Sequence, residues 1–272
     1  MKQIIIINDS TPEAEHAAKF ALAIAMKMKA DLLLANTIPV KLLQQITVPV
    51  PAPATEEWQS LLFEDLVSIT DKAAEYKPVI NELDISEMNE TQLAEFIHMK
   101  GIGLIVKGEK EILTTPQLPH LNIQSVLNKV CCPILLVPEK WQIKDIEHIV
   151  YLADLRYCRT AVVSYLVELA GPFNADIAVS HFSAKGLPNM GQCYAEDVFN
   201  ATIGQHVHYE SLYFNNTKER DLSKAVDVLI NGMHNDLLVV VNHRYHFEEI
   251  IGRYITDAMP QNLTVPVMVF PY

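Results

Sequence analysis

"IIIINDSTPEAEHAAKFALAIAMKMKADLLLANT", from Ile4 to Thr37, is followed later in the chain by a second version of itself. That version is "IVYLADLRYCRTAVVSYLVELAGPFNADIAVSHF", from Ile149 to Phe182, and the two align without a gap. Matched positions differ by 145, so that Asp9 corresponds to Asp154 (154 − 9). A repeat of this length indicates a duplicated structural unit, and it sets the organisation of the whole chain.

The ends of the two halves also correspond. "CCPILLVP" (Cys131–Pro138) matches "TVPVMVFP" (Thr264–Pro271) at an offset of 133. The smaller offset is explained by a deletion of 12 residues (145 − 133) inside the second half. The sequence therefore predicts two homologous domains, residues 1–140 and 145–272, joined near "EKWQIKD".

The beginning of each half predicts a buried strand followed by a helix. Gln3–Asn8 is a continuous apolar run of strand length, as buried parallel strands are. Ser10 or Thr11 can cap the helix that follows, with Pro12 in its first turn and Glu13 placed for a capping box with Ser10. The i, i+3, i+4, i+7 spacing of one buried stripe is then followed by Ala14, Ala17, Ala18, Ala21, Ile24, Ala25 and Met28.

The rest of the chain alternates between predicted strands and helices. In the first half we expect strands at Leu32–Asn36, Val79–Leu83, Leu104–Val106 and Ile134–Val137, helices at Trp58–Tyr76, Thr91–Met99 and Asn122–Lys129, and a Pro-rich loop at Lys41–Thr55. In the second half we expect strands near Ile149, Ile177, Val207, Leu237 and Val267. Such alternation predicts a parallel sheet with helices on both faces in each half, an α/β class.

Composition excludes several classes of protein. The chain has 272 residues, half of them hydrophobic, and a net charge of −12 without a basic block, which argues against nucleic-acid binding. No apolar run approaches the roughly 18 residues of a membrane span, and "MKQIIIINDS" has no cleavage-site pattern. The four cysteines show no CxxC spacing, so we expect reduced thiols in a cytoplasmic protein.

These features resemble the universal stress protein family in its tandem form. The resemblance rests on "INDSTPEAEHAAKFALAIA", "KADLLLANT", the strands "GLIVKGEK" and "DLLVVVNHR", and the closing "CPILLVP" and "VPVMVFP". It implies two doubly wound, five-stranded, Rossmann-like domains that pair through their last strands as an intrachain pseudo-dimer, with a further homodimer possible. It also implies a role in the stress response.

Members of that family that bind ATP or AMP hold the phosphates in a glycine-rich loop after the fourth strand. The pattern is Gly-x-x-Gly, about nine residues, then Gly-Ser or Gly-Thr. Here Gly108 is followed by Glu111 where the second glycine belongs, and Asn122–Ser125 is the nearest polar substitute for the closing pair. In the second half Val241 replaces the first glycine.

The loss of these glycines predicts weak or no ATP binding. A phosphate nest needs consecutive backbone N–H groups turned toward one point, often with φ > 0, which glycine adopts freely. Glu109 and Glu111 would add repulsion that Lys107 and Lys110 offset only in part. In the second half His243, Arg244, His246 and Arg253 could bind an anion, although Arg244 and Arg253 could equally pair with Glu248 and Glu249.

Three hypotheses remain open. The first is a sensor of an adenine nucleotide, ATP or AMP, or of another small anion, and its clefts would be lined by Asp9, Ser10, Thr11, Gly108 and Ser125 in one half and by Asp154, Asn242 and His243 in the other. The second is an interaction scaffold with closed clefts. The third, a nucleotide-hydrolysing enzyme, is weakest, because the sequence has no phosphate loop, GxSxG or HExxH motif.

Two groups of histidines have both a structural and a functional interpretation. His206, His208 and Glu210 alternate, so that on a strand they would share a face and could hold zinc or iron. We favour a polar edge strand and predict no metal site. His181 ends the second strand of its half, beside the expected cleft, and we interpret it as a structural histidine.

Overall fold

The computed structural model describes residues 2–39, 60–72, 76–109, 122–219, 221–243, 246–251 and 263–272. The chain forms two compact units, Met1–Glu139 and Lys140–Tyr272. We call them unit 1 and unit 2. The predicted loop at Lys41–Thr55 lies outside the described residues.

Unit 1 is a parallel sheet with helices between its strands. Its strands are β1 (Gln3–Asn8), β2 (Asp31–Asn36), β3 (Ile80–Asp84), β4 (Leu104–Glu109) and β5 (Ile134–Pro138). Its described helices are α1 (Pro12–Met28), α2 (Leu61–Lys72), α3 (Glu90–Lys100) and α4 (Ile123–Leu127). The strand order is β3-β2-β1-β4-β5, so the sheet is doubly wound with its switch point between β1 and β4.

Unit 2 repeats this arrangement. Its strands are β6 (His148–Ala153), β7 (Asp176–His181), β8 (Leu212–Asn216), β9 (Leu237–Val241) and β10 (Val267–Phe270). Its helices include α5 (Thr160–Ala170), α6 (Gln192–Phe199), α7 (Leu222–Asp227) and α8 (His246–Ile250), and α6 and α7 each continue into a π-helical turn. The order β8-β7-β6-β9-β10 is parallel throughout. The predicted fold class of two five-stranded doubly wound sheets is confirmed.

Strand register follows the offset of 145. Ile4 pairs with Leu32 in unit 1, and Ile149 pairs with Ile177 in unit 2, a spacing of 28 in both (32 − 4 and 177 − 149). The first two strands of each unit are therefore paired in the same register. A slip of one residue would have turned every side chain to the opposite face.

Left-handed backbone positions follow both offsets. Lys29 and Asn174, 145 apart, end their helices at φ 52° and 54°. Gly101 and His234, 133 apart, have φ 64° and 57°. Turns that require the unusual αL conformation are therefore kept even where the residue is not glycine.

The core of unit 1 forms around β1. Ile4, Ile5 and Ile6 are fully buried, because helices cover both faces of the central strand. The predicted stripe of α1 is buried as well, except that Met28 at the end of the helix is only half-buried. The buried members are Ala14, Ala17, Ala18, Ala21, Ile24 and Ala25. Small alanine side chains let α1 lie close to the sheet, which places its first turn beside the end of β4.

Two sequence predictions differ from the structure. The strand expected near Val207 is wrong, because residues 207–209 are irregular and the strand is β8. Of the two predicted cap residues, Thr11 caps α1, whereas Ser10 has φ 61°. The expected capping box between Ser10 and Glu13 is therefore not formed, because Ser10 is not the cap.

Candidate ligand clefts at the carboxyl ends of the strands

In a doubly wound sheet, ligands bind outside the carboxyl ends of the strands at the switch point. In unit 1 this point lies between the ends of β1 and β4, where Asp9 and Gly108 are found. In unit 2 it lies between the ends of β6 and β9, where Asp154, Asn242 and His243 are found. The predicted site residues at the ends of these strands thus lie where the fold places a cleft.

The turn after β1 is organised by two side chains. Asp9 Oδ1 accepts hydrogen bonds from the Thr11 N–H at 3.2 Å and from Thr11 Oγ1 at 2.5 Å. Thr11 Oγ1 in turn accepts from the Ala14 N–H at 3.2 Å and so caps α1. Asn8 Oδ1 accepts from the N–H of Ser10, which is exposed. Asp9 therefore supports the cap residue, Thr11, from two positions before it.

Gly108 is required by packing. A Cβ built on Gly108 would lie 2.2 Å from the carbonyl oxygen of Glu13 and 2.8 Å from the Ala14 nitrogen. These are backbone atoms of the first turn of α1, so they cannot rotate away. Gly108 belongs to β4, pairs with Val137 and does not have a positive φ. Its role in the structure is to let the N-terminus of α1 approach the sheet.

A buried ion pair lies on the other face of β4. Lys107 Nζ is 2.8 Å from Glu109 Oε1, and the side chains are 12% and 0% exposed. Alternation along the strand directs both away from the α1 face that Gly108 contacts. The Glu109 carboxylate, expected to repel phosphates, is thus compensated by Lys107. Lys110 and Glu111 lie outside the described residues.

A polar network joins the ends of β1, β2 and β3. Asn8 Nδ2 donates to Asn36 Oδ1 at 2.6 Å, and Asn36 Nδ2 donates to Glu82 Oε1 at 2.9 Å. Glu82 also accepts from the N–H of Ser60, just before α2. Sequence reasoning did not find this network, since its members are up to 74 residues apart (82 − 8). It fixes this edge of the unit 1 cleft.

Ser125 is the third residue of the short helix α4. Its N–H donates to Asn122 Oδ1 at 3.1 Å, and the Asn122 N–H donates to Glu90 Oε1 at 3.2 Å. Asn122–Ser125, the predicted polar substitute for the missing Gly-Ser pair, is therefore the capped start of α4, and it is hydrogen-bonded to Glu90 at the start of α3.

Unit 2 differs because its first helix begins later. Position 12 of unit 1 corresponds to 157 (12 + 145), yet α5 begins at Thr160, three residues further on. A 3₁₀ turn, Leu155–Tyr157, fills the interval. Val241 stands where unit 1 has Gly108 (108 + 133), and it lines the small cavity beside Asp154. α5 also has no side-chain cap.

Asp154 is held by internal hydrogen bonds. It is 3% exposed, and its Oδ1 accepts from the Arg156 N–H at 3.0 Å while its Oδ2 accepts from the Ala184 N–H at 2.8 Å. The Arg156 guanidinium lies 3.4 Å from the same carboxylate. This carboxylate is therefore tied to the turn after β6 and to the loop after β7.

His181 is part of the same arrangement. Its Nδ1 accepts from the Leu155 N–H at 3.2 Å, so the proton lies on Nε2, 3.4 Å from Ser183 Oγ. Burial lowers the pKa of His181 even though Asp154 opposes this shift. A neutral, hydrogen-bonded histidine agrees with its interpretation as structural.

Aromatic side chains fill the unit 2 cleft. Tyr157 stacks on His243 with ring centroids 5.4 Å apart, His243 lies 4.3 Å from Tyr272, and the Arg159 guanidinium lies over Tyr272 at 4.5 Å. We call these four residues the aromatic plug. The cavity left between the plug, Asp154 and His246 measures about 30 Å³. Sites for small molecules usually measure about 300–1,000 Å³.

A larger depression in unit 2 follows the loop after β7. It measures about 350 Å³ and is lined by Phe182–Asn189 together with Glu219. Phe182 and Ala184 are buried there, whereas Lys185, Asn189 and Glu219 are exposed. It lies along an exposed loop and not between β6 and β9.

Other candidate groups are now located. His206, His208 and Glu210 fall in the stretch before β8, so they do not share a strand face, and no metal-binding group of three His, Cys, Asp or Glu occurs among the described residues. The four cysteines are unpaired, and burial raises the pKa of Cys158 to about 12. Arg244 and Arg253 lie outside the described residues, as does the side chain of Glu248.

None of the helices in the described ranges combines the length and apolar character that crossing a bilayer requires.

Comparison with solved structures identifies the fold. A universal stress protein from Archaeoglobus fulgidus DSM 4304 matches with a TM-score of 0.58 and 9% identity, covering 99% of this chain and 98% of that one. A Pseudomonas aeruginosa UCBPP-PA14 protein named after the same family gives 0.53 and 14%, covering 100% and 93%. A protein of unknown function from Pseudomonas aeruginosa PAO1 gives 0.53 and 14%, covering 100% and 92%. Neither a family model nor a curated protein matches the sequence.

These likenesses define a class of structure. The chain has the universal stress protein fold, present twice and spanning nearly all of each structural neighbour. The predicted resemblance is confirmed at the level of the fold.

Proposed function

We propose that this chain is a non-enzymatic regulatory protein of the stress response, in which unit 2 does not bind ligand in its cleft. The observation that supports this most directly is the aromatic plug, which leaves about 30 Å³ where a nucleotide would need at least ten times more. The internally bonded Asp154 supports the same conclusion. The link to stress is proposed from the fold.

Any adenine-nucleotide or anion binding is assigned to unit 1. Gly108 still allows the capped N-terminus of α1 to approach β4, which is the frame that anion binding at a helix terminus uses. Asp9, Ser10 and Thr11 belong to this frame. Weak binding is expected, because the glycines of the phosphate motif are missing after Gly108.

The four unpaired cysteines fit a reducing compartment, and a cytoplasmic location is part of the proposal. Pairing of the two units through their last strands, which the family resemblance implies, stays a prediction, as does a homodimer.

Thermal unfolding with millimolar Mg²⁺ and ATP or AMP tests the assignment. A ligand at 100 times its Kd stabilises the native state by about 2.7 kcal/mol, so a nucleotide bound with micromolar affinity would shift the Tm by several degrees. We expect a smaller shift, abolished by Asp9→Ala and unchanged by Asp154→Asn. A shift abolished by Asp154→Asn alone would contradict the proposal.

Mass spectrometry of the native protein, released by denaturation, complements this test. Stoichiometric nucleotide in the purified protein would replace the proposal with an ATP- or AMP-binding sensor. Phosphate release above the level of an unrelated protein would indicate an enzyme.

A further inference from the structure

The small cavity of unit 2 contains two polar atoms whose bonding is incomplete. Tyr151 is fully buried on β6, and within the described part of the chain its hydroxyl has no hydrogen-bond partner of acceptable geometry. The same holds for Nε2 of His246 on α8, also among the described residues. Both side chains line the cavity of about 30 Å³. Leaving a buried polar atom unpaired costs about 1–3 kcal/mol, so such pairs call for an explanation.

The two atoms are complementary. The imidazole of His246 already bonds the backbone of Phe182, and because Nε2 has no protein partner, Nδ1 makes that bond as a donor. Nε2 of the neutral ring is then an acceptor, whereas the Tyr151 hydroxyl is a donor. The Cys158 thiol and the Arg159 backbone N–H lie beside that hydroxyl, but the N–H can only donate to it and sulfur is a weak acceptor, so neither gives its proton a strong partner.

A third polar group borders the same space. Asp154 lines the cavity, and each of its carboxylate oxygens accepts one backbone hydrogen bond; Oδ1 also faces the Arg156 guanidinium, whereas Oδ2 keeps a lone pair. The cavity thus offers one donor and two kinds of acceptor. The cavity of about 30 Å³ has room for a water molecule, since roughly 10–15 Å³ open to a water-sized sphere suffices.

We propose that unit 2 binds one water molecule in this cavity, accepting from the Tyr151 hydroxyl and donating to His246 Nε2 and to Asp154. The water joins β6, α8 and the turn after β6 behind the aromatic plug. It is a structural ligand that holds His246 in one orientation. The assignment is independent of nucleotide binding in unit 1.

Magnetic relaxation dispersion of ¹⁷O water counts the long-lived internal waters and tests the proposal in solution. We expect Tyr151→Phe and His246→Phe each to lower the count by one relative to the wild-type chain. Tyr165→Phe is the matched control, because it removes a hydroxyl of the same unit that packs against Phe270 outside the cavity. Its count should equal that of the wild type.

An unchanged count in both Tyr151→Phe and His246→Phe would overturn the proposal. A high-resolution crystal structure keeps the test decisive if a variant unfolds. Density for one water within hydrogen-bond distance of both Tyr151 Oη and His246 Nε2 supports the assignment. A dry cavity, or a direct Tyr151–His246 hydrogen bond, refutes it.

Discussion

Replacing Gly108 with alanine tests the packing on which the unit 1 cleft depends. The added Cβ would lie 2.2 Å from the Glu13 carbonyl oxygen, against 3.4 Å or more for an ordinary contact. The first turn of α1 would therefore have to move by at least 1.2 Å (3.4 − 2.2) relative to β4. The overlapping atoms are backbone, so no side-chain rotation relieves the overlap.

The expected magnitude follows from two opposing effects. Overpacking in a well-packed region destabilises proteins by about 1–3 kcal/mol, and this overlap belongs at the upper end. Glycine-to-alanine exchange also restricts the unfolded chain, which returns about 0.4–1 kcal/mol. We expect a net loss of about 2 kcal/mol in unit 1, measured by urea denaturation and by native-state hydrogen exchange of α1 and β4 peptides.

Gly171→Ala is the control. A Cβ on Gly171 meets no atom within 4 Å, and its φ of −52° suits alanine, so its stability should be unchanged or slightly higher. If Gly108→Ala and Gly171→Ala had the same free energy of unfolding within about 0.5 kcal/mol, a range typical of surface substitutions, the close approach inferred for α1 would be refuted.

Three further predictions concern unit 2. Burial lowers the pKa of His246 from 6.5 to about 4, so His246 binds a proton in the unfolded chain at a higher pH than in the native protein. The free energy of unfolding should therefore drop by about 3 kcal/mol as the pH falls between these two values. In thermal melts at several pH values, the Tm of His246→Phe should depend less steeply on pH than that of the wild type. Asp236 is 2% exposed and accepts from the N–H groups of Glu147 and His148, and Lys144 is its exposed ion-pair partner. In urea titrations Asp236→Ala should destabilise by about 2–4 kcal/mol, because it leaves buried N–H groups unpaired, and Lys144→Ala by under 1 kcal/mol. His234 has φ 57°, in the left-handed region that glycine adopts freely and alanine does not. His234→Gly should therefore raise the Tm, whereas His234→Ala should not.

Much of the fold could be predicted because its signals are local. The run Gln3–Asn8 predicted β1 with its observed bounds, because a central strand that is buried on both faces is apolar along its middle. The ungapped repeat transferred that prediction to β6. The strand near Val207 was placed wrongly because alternation of His206, Val207 and His208 imitates a strand, whereas the edge strand β8 lies five residues later and is only partly buried.

The site was less predictable, because its properties depend on distant contacts. The sequence marked Gly108 as part of a phosphate motif, but its steric role depends on Glu13, 95 residues earlier (108 − 13). Asp154 matched Asp9 by position, yet its hydrogen bond to the Ala184 N–H depends on a loop that has no counterpart in the alignment. The aromatic plug combines residues from three separate segments of unit 2.

The exchange of Gly108 for Val241 has a consequence for how the two halves can change. A valine at position 108 would collide with the first turn of α1, whereas α5 begins three residues later than α1 in the repeat and Val241 is accommodated in unit 2. In each half, the residue at this strand position is matched to the start of the first helix: Gly108 to α1 in unit 1, and Val241 to α5 in unit 2. Converting one half into the other requires both alterations together, so Val241→Gly alone should not regenerate an anion-binding pocket, and grafting the segment 9–15 onto unit 2 would be the minimal companion change.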